Sequence, residues 1–430
     1  MQATWTPPAN RVDPIDILIA SSQGRIENLI PLRYGRMMAS PFAFYRGAAS
    51  IMASDLAHTP NSGFDLQICG DCHLLNFGGF ATPERQLVFD INDFDETSLA
   101  PWEWDVKRLA ASLVIAGQSN GFKAAVCQEA AWLAAQSYRE HMAEFSEMSV
   151  LEAWYEAIDL DNALDNSPDK DMAKFYRKKL KAALEQNAHE KEFAKLAHEN
   201  SLPARIIDQP PLIYHFNGIH DEEFRAIAER TYASYKESLS TELHLLLDRY
   251  RVHDVAFKVV GVGSVGTMCG IILLMSQDEP LFLQFKEARQ SVLEPFAGTS
   301  RFDHPGRRVV AGQRLMQAAS DMFLGWATGG GEEKRPFYMR QLRDAKIKPV
   351  VEVMKPNNLF NYAGLCGHAL ARAHARSGDT LVLTSYMGKN NAFEDALADF
   401  AVAYAQQNEQ DHQAMVTAVR AGRIQIQTEE

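Results

Sequence analysis

The chain has 430 residues, of which 46% are hydrophobic and 23% are charged, a composition that indicates a folded globular protein rather than a disordered one. Its 43 lysines and arginines against 55 aspartates and glutamates give a formal net charge of −12, which disfavours non-specific binding to nucleic acid or anionic lipid. No apolar segment reaches the roughly 20 residues that a membrane helix needs. We therefore expect neither a nucleic-acid partner nor a membrane partner.

The first residues, MQATWTPPANRVDP, lack the basic start, apolar core and small-residue cleavage site of a secretory signal. The five cysteines are an odd number, which in a chain without an export signal favours reduced thiols. They are Cys69, Cys72, Cys127, Cys269 and Cys366. We therefore expect a cytoplasmic location.

The first helix candidate follows Ser40 and Pro41, because serine can cap a helix and proline suits its first position. The apolar segments 66–69 and 86–91 then predict two strands joined by the loop GDCHLLNFGGFATPER. From residue 102 to about residue 250 the apolar spacing is predominantly helical. Within it, segment 169–200 predicts a charged helix whose polar face contacts solvent.

From residue 251 the hydrophobic period changes to that of strands. VAFKVVGVGSVGTMCGIILLM and PLFLQFKEA predict a strand, a glycine-rich turn and two further strands. A helix near residues 308–319 and a hairpin over MFLGWATGGGEEKRPFYMRQL follow. Segments 350–376 and 393–420 are helical again.

These elements predict an α+β protein built from two kinds of unit. Residues 1–250 form an N-terminal segment and the main part of a helical unit, and residues 251–345 form a small β-rich unit. Residues 346–430 add the C-terminal helices that complete the helical unit. At about 100 to 200 residues per domain, the length agrees with two or three units.

The densest polar pattern lies in the loop after the first predicted strand. Gly70, Asp71, His73 and Asn76 follow the spacing GDxHxxN, which places a carboxylate and an amide five residues apart. Such a pair can orient an attacking hydroxyl and bind a metal ion, as phosphoryl transfer requires. The loop also contains CxxCH, the attachment motif of c-type haem. Haem would leave Asn76 and the neighbouring acids unexplained, and no export signal is present, so we expect no haem.

A run of acids, VFDINDFDE, ends the second predicted strand and contains Asp90, Asp93, Asp95 and Glu96. Carboxylates this close together repel one another unless a cation neutralises them. Hard oxygen ligands suit magnesium, which usually takes one or two carboxylates and leaves other positions to substrate phosphates. The alternative is that these acids serve only as turn and capping residues, and the run by itself does not decide between the two.

The turn GVGSVG places Gly261, Gly263 and Gly266 in the spacing GxGxxG, with Ser264 between them. In a dinucleotide-binding fold this turn would open a helix, but only four residues separate it from the strand IILLM. A glycine-rich turn between antiparallel strands instead favours a cover over the phosphates of ATP. Lys286, twenty residues beyond Gly266 on the next predicted strand, is a candidate for holding the α and β phosphates.

These motifs resemble those of a known group of enzymes. GDCHLLN is similar to the catalytic loop of the aminoglycoside phosphotransferase and choline kinase branch of the protein-kinase-like superfamily. DFDETSLAPWEWDVKRLA resembles that branch's metal-binding aspartate followed by a helix-starting aspartate. The resemblance implies that Asp71 is the catalytic base, that Asn76 and Asp93 hold magnesium, and that Asp105 braces the catalytic loop. Asp90 stays an alternative metal ligand, because 22 residues from Asp71 to Asp93 is a long separation.

From RMMASPFAFYRGAA to FAVAYAQQNEQDH, the chain is also similar to an uncharacterised bacterial family, domain of unknown function twenty-two fifty-two. In ordinary kinases the glycine-rich lobe precedes the catalytic loop, whereas here Asp71 precedes Gly261 by 190 residues. The segment YAGLCGHALARAHARSGD resembles the helix that leads into the catalytic loop. The resemblance therefore implies a protein-kinase-like two-lobe fold with a circularly permuted motif order, a helical large lobe and a small β-rich lobe.

Three further side chains are weaker candidates for substrate contact: Arg46, His73 and Asp95. Arg46 could anchor a substrate anion or, equally, cap a helix. The helix near residue 314 offers no glutamate to pair with Lys286, which leaves Glu294 or Glu287 as the predicted acidic partner.

The residues and the resemblance together predict an enzyme that uses ATP and magnesium to phosphorylate a hydroxyl-bearing small molecule. Two alternatives stay open. One is a nucleotide-binding pseudokinase or regulator without transfer, and the other is a nucleotidyl (AMP) transferase that uses the same site. The acceptor's identity is not encoded in any motif of the helical region, because kinase-like scaffolds accept many molecules.

Overall fold

A computed structural model of the protein describes residues 5–165, 169–184, 205–215, 219–259, 261, 263, 265–332, 334–342 and 347–428. The mixed α+β class is confirmed, with about 52% helix and 16% strand. The helices are α1 (Pro14–Ser21), α2 (Ile30–Met38), α3 (Pro41–Gly47), α4 (Ala49–Leu56), α5 (Glu103–Ser119), α6 (Ala124–Glu147), α7 (Val150–Tyr155), α8 (Leu160–Asp165), α9 (Lys170–Leu184), α10 (Ile219–Glu237), α11 (Thr241–Leu247), α12 (Glu294–Ala297), α13 (Pro305–Met316), α14 (Pro356–Ala375), α15 (Thr380–Met387) and α16 (Ala392–Arg420). The strands are β1 (Asp65–Ile68), β2 (Phe77–Ala81), β3 (Leu87–Ile91), β4 (Ser98–Pro101), β5 (Ile158–Asp159), β6 (Ile213–Tyr214), β7 (Arg251–Lys258), β8 (Cys269–Ser276), β9 (Glu279–Glu287), β10 (Gly325–Thr328) and β11 (Pro336–Gln341).

Two predictions about helices agree with the structure. Ser40 caps α3, since its Oγ accepts a hydrogen bond from the backbone N–H of Ala43 at 3.0 Å, and Pro41 occupies the first helical position. The predicted charged helix is present as α9, and the rest of segment 169–200 lies outside the described residues. No helix in the described ranges is both long enough and apolar enough to cross a membrane.

The two strands predicted over 66–69 and 86–91 are present as β1 and β3, but the segment between them is not only a loop. β1 pairs with β4, and β3 pairs with β2, which lies inside the segment expected to be a loop. The two glycines of β2 hide the strand pattern in the sequence, because glycine is unfavourable in strands. A Cβ at Gly78 would overlap the backbone carbonyl of Ile347, so glycine is needed there, and a Cβ at Gly79 would meet the side chain of Leu160. The polar loop therefore ends at Asn76, where β2 begins.

The β-rich region is one antiparallel sheet with the order β10-β11-β9-β8-β7-β6. The predicted strands on either side of the glycine turn are confirmed as β7 and β8, and the predicted hairpin as β10 and β11. Helix α13 packs on β10 and β11. β6, which precedes residue 251, is the edge strand of this sheet, and α10 packs on the sheet with Phe224 and Tyr235 buried in its core.

Helices α5, α6, α14 and α16 surround the larger hydrophobic core. α6 and α14 make the most extensive helix pair, and a Cβ at Gly367 would overlap the backbone carbonyl of Ala134. Small residues at this interface let the two backbones approach closely. α14 also packs on β1, which precedes the polar loop, and on β3, which leads into the acidic run. This helix therefore holds both segments in place.

Candidate active site

The loop between β1 and β2 is held by Asp105 of α5. The Asp105 carboxylate accepts hydrogen bonds from the backbone N–H groups of Cys69 at 2.8 Å and Gly70 at 3.0 Å. Gly70 has φ of 82°, and a Cβ there would overlap the backbone carbonyl of Glu96, so only glycine suits this position. Asp105 thus lies where the resemblance places the residue that braces the loop.

Asp71 pairs with Arg108, which lies three residues after Asp105 and therefore on the same face of α5. Asp71 Oδ1 lies 2.6 Å from Arg108 Nε and 2.5 Å from Arg108 Nη2. This pairing leaves Asp71 Oδ2 for other partners, and His73 Nε2 lies 3.9 Å from it. Burial raises the pKa of Asp71, and the Arg108 charge opposes that shift. Arg108 was not predicted from the sequence.

Asn76 and Asp93 come together through the hairpin of β2 and β3. The Asn76 side-chain Nδ2 donates a hydrogen bond to the backbone carbonyl of Asp71 at 2.7 Å, and the backbone N–H of Asn92 donates to the carbonyl of Asn76 at 2.7 Å. Asp93 Oδ1 accepts from the backbone N–H of Asp95 at 3.1 Å. Burial raises the pKa of Asp93, and the nearby Asp95 charge adds to the shift. Amide and carboxylate oxygens are ligands that magnesium prefers, so this pair fits the ion.

Lys286, near the end of β9, is 5% exposed and pairs with Asp95 Oδ2. The hydroxyl of Tyr338 on β11 donates to Asp95 Oδ1 at 2.7 Å. Burial disfavours the ionised Asp95, but the Lys286 charge and the hydrogen bonds from Lys286 and Tyr338 together outweigh this effect and lower the pKa of Asp95. Lys286 therefore does have an acidic partner, and it lies in the acidic run.

The two glutamates predicted to pair with Lys286 have other partners, so that prediction is wrong. Glu287 lies 3.3 Å from Arg335, and Glu294 lies 3.9 Å from Arg308. Glu287 follows Lys286 directly in a strand, so its side chain points to the opposite face of the sheet.

Asp90 does not reach the candidate site, which contradicts its predicted role as an alternative metal ligand. Its side chain is 0% exposed, and its Oδ1 lies 2.7 Å from Nη2 of the equally buried Arg372. Its Oδ2 accepts a hydrogen bond from the backbone N–H of Ala318 at 2.8 Å. Both oxygens are thus engaged, and Asp90 stabilises the packing of β3 against α14.

The glycine turn lies beside the same groups. Gly261 has φ of 59° and Gly266 has φ of 85°, values that favour glycine. Gly261 and Gly263 line the cavity described below, whereas Gly266 does not. Among the described residues, a Cβ at Gly263 would meet the backbone carbonyl of Arg46, at 3.7 Å. Ser264 lies outside the described residues.

The N-terminal segment holds the turn from the other side. The backbone N–H of Ile26 donates to the carbonyl of Gly266 at 2.7 Å. Arg25 Nη1 donates to the carbonyl of Val265 at 2.6 Å. No sequence motif predicts this contact, because the partners lie 240 residues apart.

These groups surround one cavity of about 270 Å³ between the β-rich sheet and the helical region. The predicted residues that line it are Arg46, Asp71, His73, Asn76, Asp93, Asp95, Gly261 and Gly263. Lys286 approaches it through its pair with Asp95. Arg25, Arg289 and Lys348 also line the cavity and were not predicted, because they belong to no recognisable motif.

His73 is buried beside Asp71, and its Nδ1 has no hydrogen-bond partner among the described residues. Burial lowers the pKa of His73 well below its usual value, and the charges of Arg46 and Arg108 lower it further. The imidazole is therefore neutral at pH 7.

The CxxC pair on the loop lies in the protein interior. The Sγ atoms of Cys69 and Cys72 and a carboxylate oxygen of Asp105 all lie within 4.8 Å of one another. Burial raises the pKa of both thiols, that of Cys72 to about 11, so both are protonated at neutral pH. Because the Asp105 carboxylate already accepts two backbone hydrogen bonds, this arrangement favours buried thiols over a metal centre.

A larger cavity, of about 550 Å³, lies beside α6, α9 and α14. Its walls are mostly apolar, and none of the predicted site residues lines it. The polar cavity therefore stays the candidate active site.

Comparison of the chain with curated proteins and with solved structures finds no match. One family model, described as "Uncharacterized protein conserved in bacteria (DUF2252)", matches residues 25–418. The matched range contains the polar loop, the acidic run, the glycine turn and Lys286. The chain therefore belongs to this family of uncharacterized proteins conserved in bacteria.

Proposed function

We propose that this protein is an ATP- and magnesium-dependent phosphotransferase that acts on a hydroxyl-bearing small molecule. The observation that carries the proposal is the convergence on one cavity of Asp71, Asn76, Asp93 and the Lys286–Asp95 pair, beside a glycine turn. Phosphoryl transfer depends mainly on positioning and on charge neutralisation, and these groups can supply both.

We also propose that the fold is a permuted protein-kinase-like fold that binds ATP between two lobes. The antiparallel sheet that carries the glycine turn and Lys286, with α13 packed on it, corresponds to the small lobe. Helices α5 and α14, which hold the polar loop, correspond to the large lobe. The changed motif order does not weaken the proposal, because an active site depends on where its groups lie in space and not on chain order.

In the proposed reaction, Asp71 Oδ2 accepts the proton of the acceptor hydroxyl. The hydroxyl oxygen forms a bond to the γ-phosphorus of ATP, the bond from that phosphorus to the bridging oxygen breaks, and ADP leaves. Arg108 fixes the Asp71 carboxylate by binding its Oδ1, and Asp105 fixes the loop backbone. Lys286, oriented by Asp95, holds phosphate oxygens. Asn76 and Asp93 would hold magnesium, and the bound ion would neutralise phosphate charge.

Calorimetric titration with ATP, with and without magnesium, tests the proposal on the wild type and three variants. We expect magnesium-dependent ATP binding by the wild type and its loss in Asp93→Ala. Asp71→Asn should keep the binding but lose transfer by roughly 10²- to 10⁴-fold, the usual contribution of a general base. Asp65→Asn, which changes an exposed aspartate at the start of β1, is the matched control and should alter neither.

The position of a radioactive label distinguishes the proposal from its alternatives. Release of ADP with transfer of label from the γ-phosphate supports the phosphotransferase. Transfer of label from the α-phosphate with release of pyrophosphate indicates a nucleotidyl transferase. Magnesium-dependent ATP binding without transfer to any acceptor in a metabolite extract indicates a pseudokinase or regulator. Absence of ATP binding by the folded wild-type protein contradicts the proposal.

A further inference from the structure

Four cationic side chains line the candidate active site: Arg25, Arg46, Arg289 and Lys348. Within the part of the chain that the structure describes, none of them has a carboxylate oxygen within 4.0 Å. Arg25 and Arg289 donate to backbone carbonyls instead. Cations that converge on a cavity without an acidic partner favour binding of an anion there.

Three of the six acidic side chains that line the cavity, by contrast, are paired with cations other than these four. These pairs are Asp71–Arg108, Asp95–Lys286 and Glu287–Arg335. Of the other acids, Asp93 is the proposed magnesium ligand, Glu96 Oε2 accepts from the backbone N–H of Val292 at 2.7 Å, and Glu352 is exposed. The acids of the cavity therefore do not satisfy its cations.

Two buried nitrogen atoms beside Asp71 point to the position of the anion. Arg46 Nε and His73 Nδ1 are both buried and have no hydrogen-bond partner among the described residues. The His73 side chain is 5% exposed, and its Nε2 lies 3.9 Å from Asp71 Oδ2. Buried polar atoms without partners are unfavourable, so a ligand oxygen that accepts from Arg46 Nε and from the Nδ1–H tautomer of His73 is stabilised.

We infer that the acceptor carries an oxyanion, a carboxylate or a phosphate ester, that binds Arg46 and His73 while its hydroxyl faces Asp71 Oδ2. This inference rests on the proposed phosphotransferase function. Neutral His73 can donate from Nδ1, and the guanidinium of Arg46 can donate from several N–H groups. Lys348 adds a further positive charge at the rim.

An acceptor with an oxyanion would distinguish this protein from enzymes whose acceptors carry positive charge. An amino sugar or choline carries positive charge, which the unpaired Arg46 would repel at the place where the acceptor hydroxyl must lie. Arg46 and His73 lie with Asp71 on the helical side of the cavity, whereas Lys286 and the glycine turn belong to the sheet. We therefore place the acceptor on the helical side and the nucleotide against the sheet, with Arg46 at the boundary, since its backbone carbonyl lies 3.7 Å from the Cβ position of Gly263.

Calorimetric titration of the full-length protein, saturated with magnesium and a non-hydrolysable ATP analogue, tests the inference with inorganic phosphate and acetate as probes. We expect at least one probe to bind the nucleotide-loaded wild type. Arg46→Gln should weaken that binding by about tenfold or more, as the loss of a charge-assisted hydrogen bond predicts. Nucleotide affinity should change less than about twofold, and Arg46→Lys should keep part of the anion affinity. Arg423→Gln, an exposed arginine on the segment after α16, is the control and should change neither affinity.

The two probes distinguish the two kinds of oxyanion. Binding of phosphate alone assigns a phosphate ester, and binding of acetate alone assigns a carboxylate. The inference is overturned if neither probe binds the nucleotide-loaded wild type, or if Arg46→Gln weakens nucleotide binding instead of anion binding. If no nucleotide binds but the probes bind the free protein and lose affinity in Arg46→Gln, the phosphotransferase proposal fails and the oxyanion site stands.

Discussion

Asp90 and Asp93 lie three residues apart and face different charges. Asp90 is fully buried against Arg372, so its negative charge is neutralised inside the protein. Asp93 lines the polar cavity, and burial together with the Asp95 charge raises its pKa. Asp90 therefore stabilises the fold, whereas ionisation of the buried Asp93 carboxylate costs free energy that a bound cation would offset.

Substitution of each aspartate by asparagine should separate these roles. Asp90→Asn leaves the Arg372 charge buried and unpaired, so we expect a loss of about 3 to 5 kcal/mol in the free energy of unfolding at pH 7. Asp93→Asn removes a carboxylate whose ionisation the folded state disfavours, so its free energy of unfolding should equal or exceed that of the wild type. Urea unfolding followed by circular dichroism measures both. A similar loss in the two variants would contradict the distinction.

Lys286 and Asp95 should be energetically coupled, because each removes the main cost of burying the other. Lys286→Met removes the cation that pairs with Asp95 Oδ2, and we expect a loss of about 3 kcal/mol, at the low end for buried pairs because the Asp95 side chain is 25% exposed. The double variant Lys286→Met/Asp95→Asn should recover much of this loss. Urea unfolding of both single variants and the double variant gives the coupling energy. Strictly additive effects would show that the pair contributes no coupling.

At the scale of elements, the strands and helices with a clear hydrophobic period were predictable, and the strand β2 was not. β7, β8 and β9 alternate or are continuously apolar, so their sequences identify them. β2 has the sequence FGGFA, whose paired glycines suit close packing against Leu160 but lack a strand signal. The partners of Asp90 and Lys286 were equally hidden, because Arg372 and Asp95 lie far from them in sequence and meet them only in the folded chain.

The glycine turn should depend on Arg25 for its rigidity. Arg25 Nη1 donates to the carbonyl of Val265, next to the bond from the Ile26 N–H to the Gly266 carbonyl. Arg25→Met removes the first bond, so the amides of residues 265–270 should exchange about fivefold faster, as expected for one net hydrogen bond of about 1 kcal/mol. Hydrogen exchange followed by mass spectrometry measures this. Arg423→Met is the control, and equal exchange in wild type and Arg25→Met would contradict the prediction.

At the scale of the whole molecule, α16 connects the two ends of the described chain. Met415 of α16 packs with Ile15, Leu18 and Met37 of the N-terminal helices in one buried cluster. The backbone N–H of Gln427 donates to the carbonyl of Pro31 at 2.9 Å. Because residues 25 and 26 bind the glycine turn, the C-terminal helix supports the candidate active site through the N-terminal segment.

Arg11 joins these distant parts through two buried carboxylates, so its removal should have a pH-dependent effect. Arg11 Nε lies 2.7 Å from Asp55, and Arg11 Nη2 lies 2.6 Å from Asp411. Arg11→Gln leaves two acids uncompensated, and we expect a loss of about 3 to 5 kcal/mol in the free energy of unfolding at pH 7. Burial already raises the pKa of Asp55 above 3.8, and loss of the arginine raises it further. An acid with a raised folded-state pKa destabilises the fold as pH rises through that value.

The loss caused by Arg11→Gln should therefore be smaller at pH 5, which is nearer the raised pKa of Asp55, than at pH 8. Urea unfolding of wild type and variant at the two pH values measures the difference. Arg423→Gln removes an exposed arginine that pairs with Asp13 and Asp16, and should change stability little at either pH. An equal loss at pH 5 and pH 8 would show that Arg11 stabilises the protein by packing and not by neutralising Asp55 and Asp411.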